Sequence, residues 1–392
     1  MTNFVQLYKS TDVNAPALSG AAGALITVLN KCLVDGYTTA SVTTLTSAAG
    51  TATATIPANA TLVTGNYVTI SGANEVDYNG TFQITVTNST TFTYTVLNSP
   101  TSPATGTILY AKAGLQWAKP YTGTNAAVYR SADVTSNRFY FQVIDNAATA
   151  GGAKEAQLMG FEEMTAYNTG TRQFPNTTQA ASGLSARKST TADGTSRAWT
   201  LIGDDRTFYV IMNTGDTTAF HSFAFGHFIP TRTGEDFNTF VNGETSFNLG
   251  TSVNAIFANY TSYVTTNTSF WLARPWSGAA SVPSCALLNL TPFYPASNLV
   301  CFGVFGVMAL PNGPDTGYYV CPANIIDVTA GGLRGRLPGM YLPLQANPIA
   351  NYETMINVAG LTGKTLTGLS ACQPSSSASV GLILFDTFGP WT

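Results

Sequence analysis

The chain has 392 residues, with 17 basic and 20 acidic side chains and a formal net charge of −3. Charged residues make up 9% of the sequence, against about 25% in an ordinary soluble domain, and the absence of clustered Lys and Arg argues against a nucleic-acid-binding surface. Because charges are depleted at the cores of protein interfaces, we expect a subunit that packs against copies of itself. The alternative is an ordinary β protein with a threonine-rich surface.

The lack of a recognisable targeting signal and the pattern of cysteines predict a protein made in a reducing cytoplasm. The first residues lack the charged and apolar regions of a secretory signal peptide, and no run of about 18 apolar residues predicts membrane insertion. The cysteines are odd in number, widely spaced and without a CxxC pair: Cys32, Cys285, Cys301, Cys321 and Cys372. This pattern predicts buried free thiols, and neither a disulfide framework nor a zinc site.

One helix is predicted near the amino terminus, over residues 24–34. Apolar side chains recur there at helical spacing: Leu25, Leu29, Cys32 and Leu33. Gly36 follows as a stop signal, and Ser19 is the predicted cap. We expect this amphipathic helix to lie on a sheet.

Residues 41–112 predict a small β-barrel or β-sandwich domain inserted into a larger body. The segment is almost uncharged, and turn residues separate its predicted strands at hairpin-like spacing: 51–56, 67–71, 81–87, 91–97 and 107–111. The strands 81–87 and 91–97 alternate polar and apolar residues, which predicts a hairpin with one solvated face. Tyr78 and Tyr94 are the aromatic residues that we expect to be exposed and able to contact a glycan.

Residues 1–40 and 113–392 predict a mainly β, β-sandwich-like body. Its predicted strands include 138–144, 157–163, 198–201, 207–212, 221–229, 318–321 and 380–385. Residues 168–196 are polar and dotted with glycine, which predicts a long loop or surface arm. A further loop is predicted over 238–268 and a buried strand over 299–310.

The segment 333–341 concentrates polar residues on a predicted loop. Arg334 and Arg336 are flanked by glycines and followed by a proline and Tyr341. The guanidinium groups could dock onto carboxylates of a neighbouring subunit, or anchor the loop within its own chain. We regard all three side chains as candidate interface residues.

Two sequence features resemble ligand sites but do not meet the requirements. Residues 360–365 resemble a phosphate-binding loop, yet only two residues separate the glycines where four are needed, so an ordinary turn carrying Lys364 is expected. His221 and His227 lie six residues apart, about 20 Å on a continuous strand. They are too distant to share a metal within one chain, although a single histidine repeated around a symmetry axis remains an alternative.

Acidic pairs occur at Glu162-Glu163 and at Asp204-Asp205. Neighbours on a strand point to opposite faces, so neither pair alone can flank a glycosidic bond. Asp204-Asp205-Arg206 is better interpreted as a turn before the strand 207–212, with Arg206 bridging a carboxylate. No catalytic arrangement and no cofactor site is predicted, and we expect a protein that is not an enzyme.

Several motifs together resemble a family of tailed-bacteriophage virion structural proteins. They are GAAGALI at 20–26, CLVDGY at 32–37, WAKPYTGTNAAVYR at 117–130, RFYFQV at 138–143, AKEA at 153–156, GFE at 160–162, GDDRTFY at 203–209, GRLPGMY at 335–341 and GPW at 389–391. They span most of the chain outside residues 41–112. The resemblance implies a structural component of the virion, assembled in the host cytoplasm, with no assigned chemistry.

These observations predict a structural subunit that builds a symmetric part of the tail, baseplate or neck, in contact with copies of itself and other virion proteins. A head decoration or collar protein is one alternative. A host-glycan-binding module in the inserted domain is another. A depolymerase would need long β-helical repeats, and none is recognised in the sequence.

Overall fold

The computed structural model describes residues 4–59, 61–148, 151–215, 220–244, 270–278, 284–289, 317–327, 332–343, 349–356, 358–372 and 381–391. Elements of the amino-terminal part and of the segment 41–112 are β1 (Gln6–Lys9), helix α1 (Ala24–Leu29) with its π-helical continuation (Asn30–Asp35), β2 (Tyr37–Ser41), β3 (Thr44–Ala48), β4 (Thr51–Thr55), β5 (Tyr67–Ala73), a 3₁₀ turn (Val76–Tyr78), β6 (Gly80–Gln83), β7 (Thr85–Asn88), β8 (Thr91–Thr95) and β9 (Gly106–Lys112).

The strands of the following body form two groups. The first comprises β10 (Trp117–Gly123), β11 (Ala126–Ser131), β12 (Tyr140–Ile144), a 3₁₀ turn (Gly152–Lys154), β13 (Glu155–Ala166), β14 (Thr169–Phe174) and β15 (Leu184–Arg187). The second comprises β16 (Trp199–Gly203), β17 (Thr207–Asn213), β18 (Phe220–His227), β19 (Ile229–Pro230), β20 (Thr239–Asn242), β21 (Phe270–Leu272), β22 (Ser284–Asn289), β23 (Val320–Asp327), β24 (Gly332–Pro343), β25 (Thr354–Ile356), β26 (Thr365–Cys372) and β27 (Gly381–Asp386).

The body is a β-sandwich-like structure of two antiparallel sheets, which confirms the predicted mainly β fold. Within the described residues, β10 to β14 are neighbours in chain order, with β15 paired to β13, and the larger sheet runs from β1 through β16, β17 and β18 to β25. Aromatic side chains join the two sheets: the ring centroids of Phe141 and Phe225 are 4.9 Å apart, and those of Trp117 and Phe208 are 5.1 Å apart. One hydrophobic core therefore serves both sheets and helix α1.

The amino-terminal helix is present, but its predicted cap is wrong. Gly23, with a left-handed φ of 81°, occupies the cap position without a side-chain hydrogen bond. The carboxylate of Asp145, at the end of β12, instead accepts the N–H of Leu25 at 2.8 Å, while the hydroxyl of Ser19 accepts the N–H of Ala21. The cap comes from a residue 120 positions away, and no local pattern could have identified it.

Residues 41–112 form two four-stranded antiparallel sheets together with the preceding residues of β2, which begins at Tyr37; the strand orders are β2-β9-β5-β6 and β3-β4-β8-β7. Their buried hydrophobic residues form a separate cluster whose members all lie between Val42 and Tyr110. The predicted strand 81–87 is wrong, because it divides at Ile84 into β6 in one sheet and β7 in the other. Because β6 and β7 are the edge strands of their sheets and follow each other directly in the chain, these two sheet edges lie side by side at Ile84.

A buried polar junction joins this segment to the body. The ammonium of Lys112 lies 2.7 Å from a carboxylate oxygen of Asp12, and both side chains are almost fully enclosed. The side-chain amide of Gln6 accepts the N–H of Tyr67 at 2.7 Å and donates to the carbonyls of Tyr67 and Ala113, both at 3.0 Å. Because these groups are held by several bonds from both parts, we infer a defined orientation of the segment on the body.

The two long loops predicted in the body differ from the observed structure or lie partly outside the described residues. The predicted loop 168–196 is wrong in part, because it contains β14 and β15, which pair with β13. The predicted loop 238–268 begins with β20, and its residues 245–268, like the predicted strand 299–310, lie outside the described residues. Among the described residues, no helix has the length and apolar character needed to span a membrane.

Candidate functional site

The segment that carries the two candidate arginines is strand β24, and the predicted loop is wrong. Leu333 lies opposite Ile326 and Gly335 lies opposite Ile325, so two steps along β24 match one step along β23. Arg334 is the extra residue of this β-bulge. The bulge breaks the regular alternation of faces, and Arg334 becomes fully buried while Arg336 is exposed.

Arg334 is an internal anchor, which favours the second of the two predicted roles and excludes it as an exposed interface residue. Its guanidinium lies 2.6 Å from Glu235 and 3.0 Å from Asp327, and it also donates to the carbonyl of Arg274. Arg274 in turn pairs with Glu162 at 2.6 Å. These ion pairs connect β24, β23 and β13, so the arginine ties the two sheets together.

Arg336 and Tyr341 line a surface pocket of about 230 Å³, together with Gly339, Lys364 and Trp391. Four residues of β24, 337–340, stand against a single residue of β23 here, because Arg336 pairs with Asn324 and Tyr341 with Pro322. Gly339 adopts a φ of 66° directly against the indole of Trp391, where a Cβ atom would lie 2.1 Å away. Only glycine fits at this position of the pocket wall.

The charged groups of this pocket differ in their freedom to bind. Lys364 pairs with Asp386 at 2.9 Å and donates to the carbonyl of Pro390 at 2.6 Å. The predicted turn is present, since the backbone N–H of Lys364 bonds to the carbonyl of Leu361 at 3.1 Å. Arg336 forms no ion pair with any of the described residues. Its planar guanidinium can therefore donate two hydrogen bonds to a carboxylate from outside the chain, in a bidentate geometry.

Tyr78 and Tyr94 are not exposed, and their predicted roles as surface contacts are wrong. Both side chains belong to the core of the segment 41–112. The hydroxyl of Tyr78 donates to Ser47 at 2.8 Å, and the hydroxyl of Tyr94 donates to the carbonyl of Tyr78 at 3.2 Å. Burial raises the pKa of Tyr94 well above its usual value. Tyr94 nevertheless contributes to the lining of a groove on the surface of this segment.

This groove, of about 470 Å³, lies where β6 passes into β7. Its lining includes four threonines, Thr51, Thr85, Thr93 and Thr95, together with Gly65, Phe82 and Phe388. We call it the threonine groove. Sequence reasoning identified the polar phase of these strands, but it missed Phe388, which arrives from a position more than 290 residues further along the chain.

The acidic pairs serve internal contacts. Glu162 is buried between Arg172 and Arg274, whereas Glu163 is exposed, which confirms that the neighbours face opposite sides. Asp204 accepts the N–H groups of Arg206 and Thr207 at 2.8 and 2.7 Å. Burial raises the pKa of Asp204 to about 7.

Arg206 bridges a carboxylate as predicted, and its partner is Asp133. Asp204-Asp205-Arg206 forms the turn between β16 and β17, which also confirms the predicted turn. Burial raises the pKa of Asp205 as well. Glu162 and Asp204 thus have structural partners in different networks, whereas both carboxylate oxygens of Asp205 are buried without a hydrogen bond to the described residues.

His221 and His227 both lie buried on β18. His221 accepts the N–H of Arg187 through Nδ1 at 3.1 Å, and His227 bonds to the amide oxygen of Asn137 at 2.7 Å. Burial lowers the pKa of His221 to about 3 and that of His227 to about 4, so both rings are neutral near pH 7. Within the described part of the chain, no group of three ligand-type side chains is arranged to hold a metal.

Cys32 is a buried thiol, and neither it nor Cys321 is in a disulfide. The side chains of the other three cysteines lie outside the described residues.

Comparison with protein-family models found no matching family, and comparison with curated proteins found no significant match.

Proposed function

We propose that this chain is a non-enzymatic structural subunit of a tailed-bacteriophage virion, which packs with copies of itself and other virion proteins into a symmetric part of the tail, baseplate or neck. The observation that supports it best is the location of the charges. At least 13 of the 17 basic and 20 acidic side chains are buried: Asp12, Lys112, Asp133, Asp145, Glu155, Glu162, Arg187, Lys188, Asp204, Asp205, Asp327, Arg334 and Asp386. At most 24 of these 37 charged side chains therefore remain outside the buried interior, so the surface is poor in charge, as suits extensive protein interfaces.

The residues that resemble phage virion proteins lie mainly in the core and the turns of the body. The indole of Trp117 donates to the carbonyl of Asp204 at 2.8 Å, and the hydroxyl of Tyr209 donates to the carbonyl of Pro338 at 3.0 Å. The ring of Tyr209 packs on that of Trp391. These motifs therefore stabilise one another in the body, and the resemblance argues for a shared scaffold that supports assembly.

Size-exclusion chromatography with light scattering on the full-length protein tests the proposal. We expect a discrete oligomer, alone or on particles lacking the protein, that persists from about 0.1 to about 1 M salt because screening weakens only charge-driven contacts. Replacing Arg336 and Tyr341 together by alanine should weaken this assembly without lowering the melting temperature. A monomer that remains indifferent to every virion component would refute the proposal. Immunogold labelling of particles then distinguishes a tail or neck location from the head surface.

A further inference from the structure

The threonine groove contains polar groups that the fold itself does not use. Thr51 pairs with Thr95 across β4 and β8, and Thr85 pairs with Thr93 across β7 and β8. Side chains of such cross-strand partners stand on the same face, about 5 Å apart. Of these, Thr51, Thr85 and Thr95 are exposed, and their hydroxyls make no hydrogen bond to other described residues. Each hydroxyl can both donate and accept.

The groove also offers aromatic surface. Phe388 is 43% exposed, and its ring lies about 3.2 Å from the position that a Cβ atom on Gly65 would occupy. On the domain side, Phe82 is half-buried and stacks on Tyr94 with ring centroids 4.4 Å apart. Stacking on Tyr94 orients the Phe82 ring before any ligand arrives.

The lining contains no Asp, Glu, Lys or Arg. A ligand with a net charge would find no opposite charge there, so the chemistry selects a neutral molecule. The molecule must offer hydroxyl groups to the threonines and a flat apolar face to the phenylalanines, and pyranose rings carry both. The volume of about 470 Å³ falls within the range of about 300 to 1,000 Å³ that is common for small-molecule pockets.

We propose that the threonine groove binds a neutral saccharide, with a sugar ring against Phe388 and its hydroxyls bonded to Thr51, Thr85 and Thr95. The site lies between the inserted segment and the body, because Phe388 belongs to the carboxyl-terminal end of the chain. This inference does not depend on the proposed structural role, and either can fail alone.

Saturation-transfer NMR on the full-length protein, with maltose, lactose and chitobiose as probes, tests the proposal. Titration with the best of these sugars gives the dissociation constant. Replacing Thr51 and Thr95 together by valine keeps the branched side chains but removes two hydroxyls. A hydrogen bond contributes about 0.5–1.5 kcal/mol net, so we expect affinity to fall about tenfold or more. Phe388→Ala should weaken binding at least about fivefold by removing the stacking surface.

Thr55→Val is the matched control, because Thr55 lies on the same strand, β4, as Thr51 but does not line the groove. It should bind sugar as the unmodified protein does, and all variants should keep the same melting temperature. The proposal is overturned if none of the three sugars gives a signal. Equal binding by the control and the double valine variant, or a preference for sialyllactose over lactose, would also overturn it.

Discussion

At the scale of single residues, two arginines of one strand have opposite surroundings and should behave differently when replaced. Arg334 is enclosed between Glu235 and Asp327. Arg334→Met would leave two buried carboxylates without their cation, a loss of about 3–5 kcal/mol in the free energy of unfolding. Arg336→Met changes an exposed side chain of the same type, and we expect a change within about 0.5 kcal/mol. Urea denaturation of both variants measures the difference, and equal losses would contradict the assigned burial.

Sequence analysis recognised these arginines but could not assign their surroundings. Residues two apart on a regular strand share a face, and only the bulge at Arg334 separates them. The acids that surround Arg334 come from positions 235 and 327, so no local pattern predicts them. The burial of Tyr94, by contrast, was predictable: it shares the apolar phase of its strand with Phe92 and Val96, and the hairpin pattern places that phase inside.

At the scale of elements, the segment 41–112 has what an independent unit needs. Together with β2, which begins at Tyr37, its two sheets enclose their own core, and the ends of this unit lie close together, since Tyr37 pairs with Lys112. We expect a fragment of residues 37–112, which keeps all of β2, to fold alone and to give a dispersed amide NMR spectrum. The same fragment with Tyr78→Ala, which removes a buried ring and its bond to Ser47, should lose that dispersion. A disordered spectrum from the unmodified fragment would show that the segment depends on the body.

Element types were predicted better than their connections. Alternating residues identified β4, β5, β8 and β9 because one face of each strand is buried. The passage from β6 to β7 at Ile84 was missed, since both halves keep the same alternation and only tertiary packing divides them between two sheets. The threonine groove arises at this division, so the sequence could supply its threonines but not its shape.

At the scale of the whole molecule, many of the few charged side chains form buried ion pairs between different parts of the fold. Lys188 and Asp145 join the β12 end to the helix, where Lys188 also donates to the carbonyl of Ala21 at 2.7 Å. Arg334 and Arg274 join the two sheets of the body. Buried ion pairs often add little net stability. Their arrangement at boundaries between parts leads us to infer that they fix relative orientation, which a subunit in a symmetric assembly must hold constant.

The joint between the inserted segment and the body allows this idea to be tested. In Lys112→Met the Asp12 carboxylate stays buried with only the hydroxyl of Tyr37 and the N–H of Lys9 as partners, so we expect the junction to loosen. Hydrogen exchange followed by mass spectrometry should accelerate at Tyr67 and Ala113, whose amides bond across or beside the junction, while β4 and β8 stay protected. Lys31→Met is the matched control, since Lys31 and Asp35 form an exposed pair of small energetic value. Unchanged exchange at the junction would mean that the ion pair does not set the orientation, whereas faster exchange throughout β4 and β8 would mean that the pair stabilises the whole segment instead of its attachment.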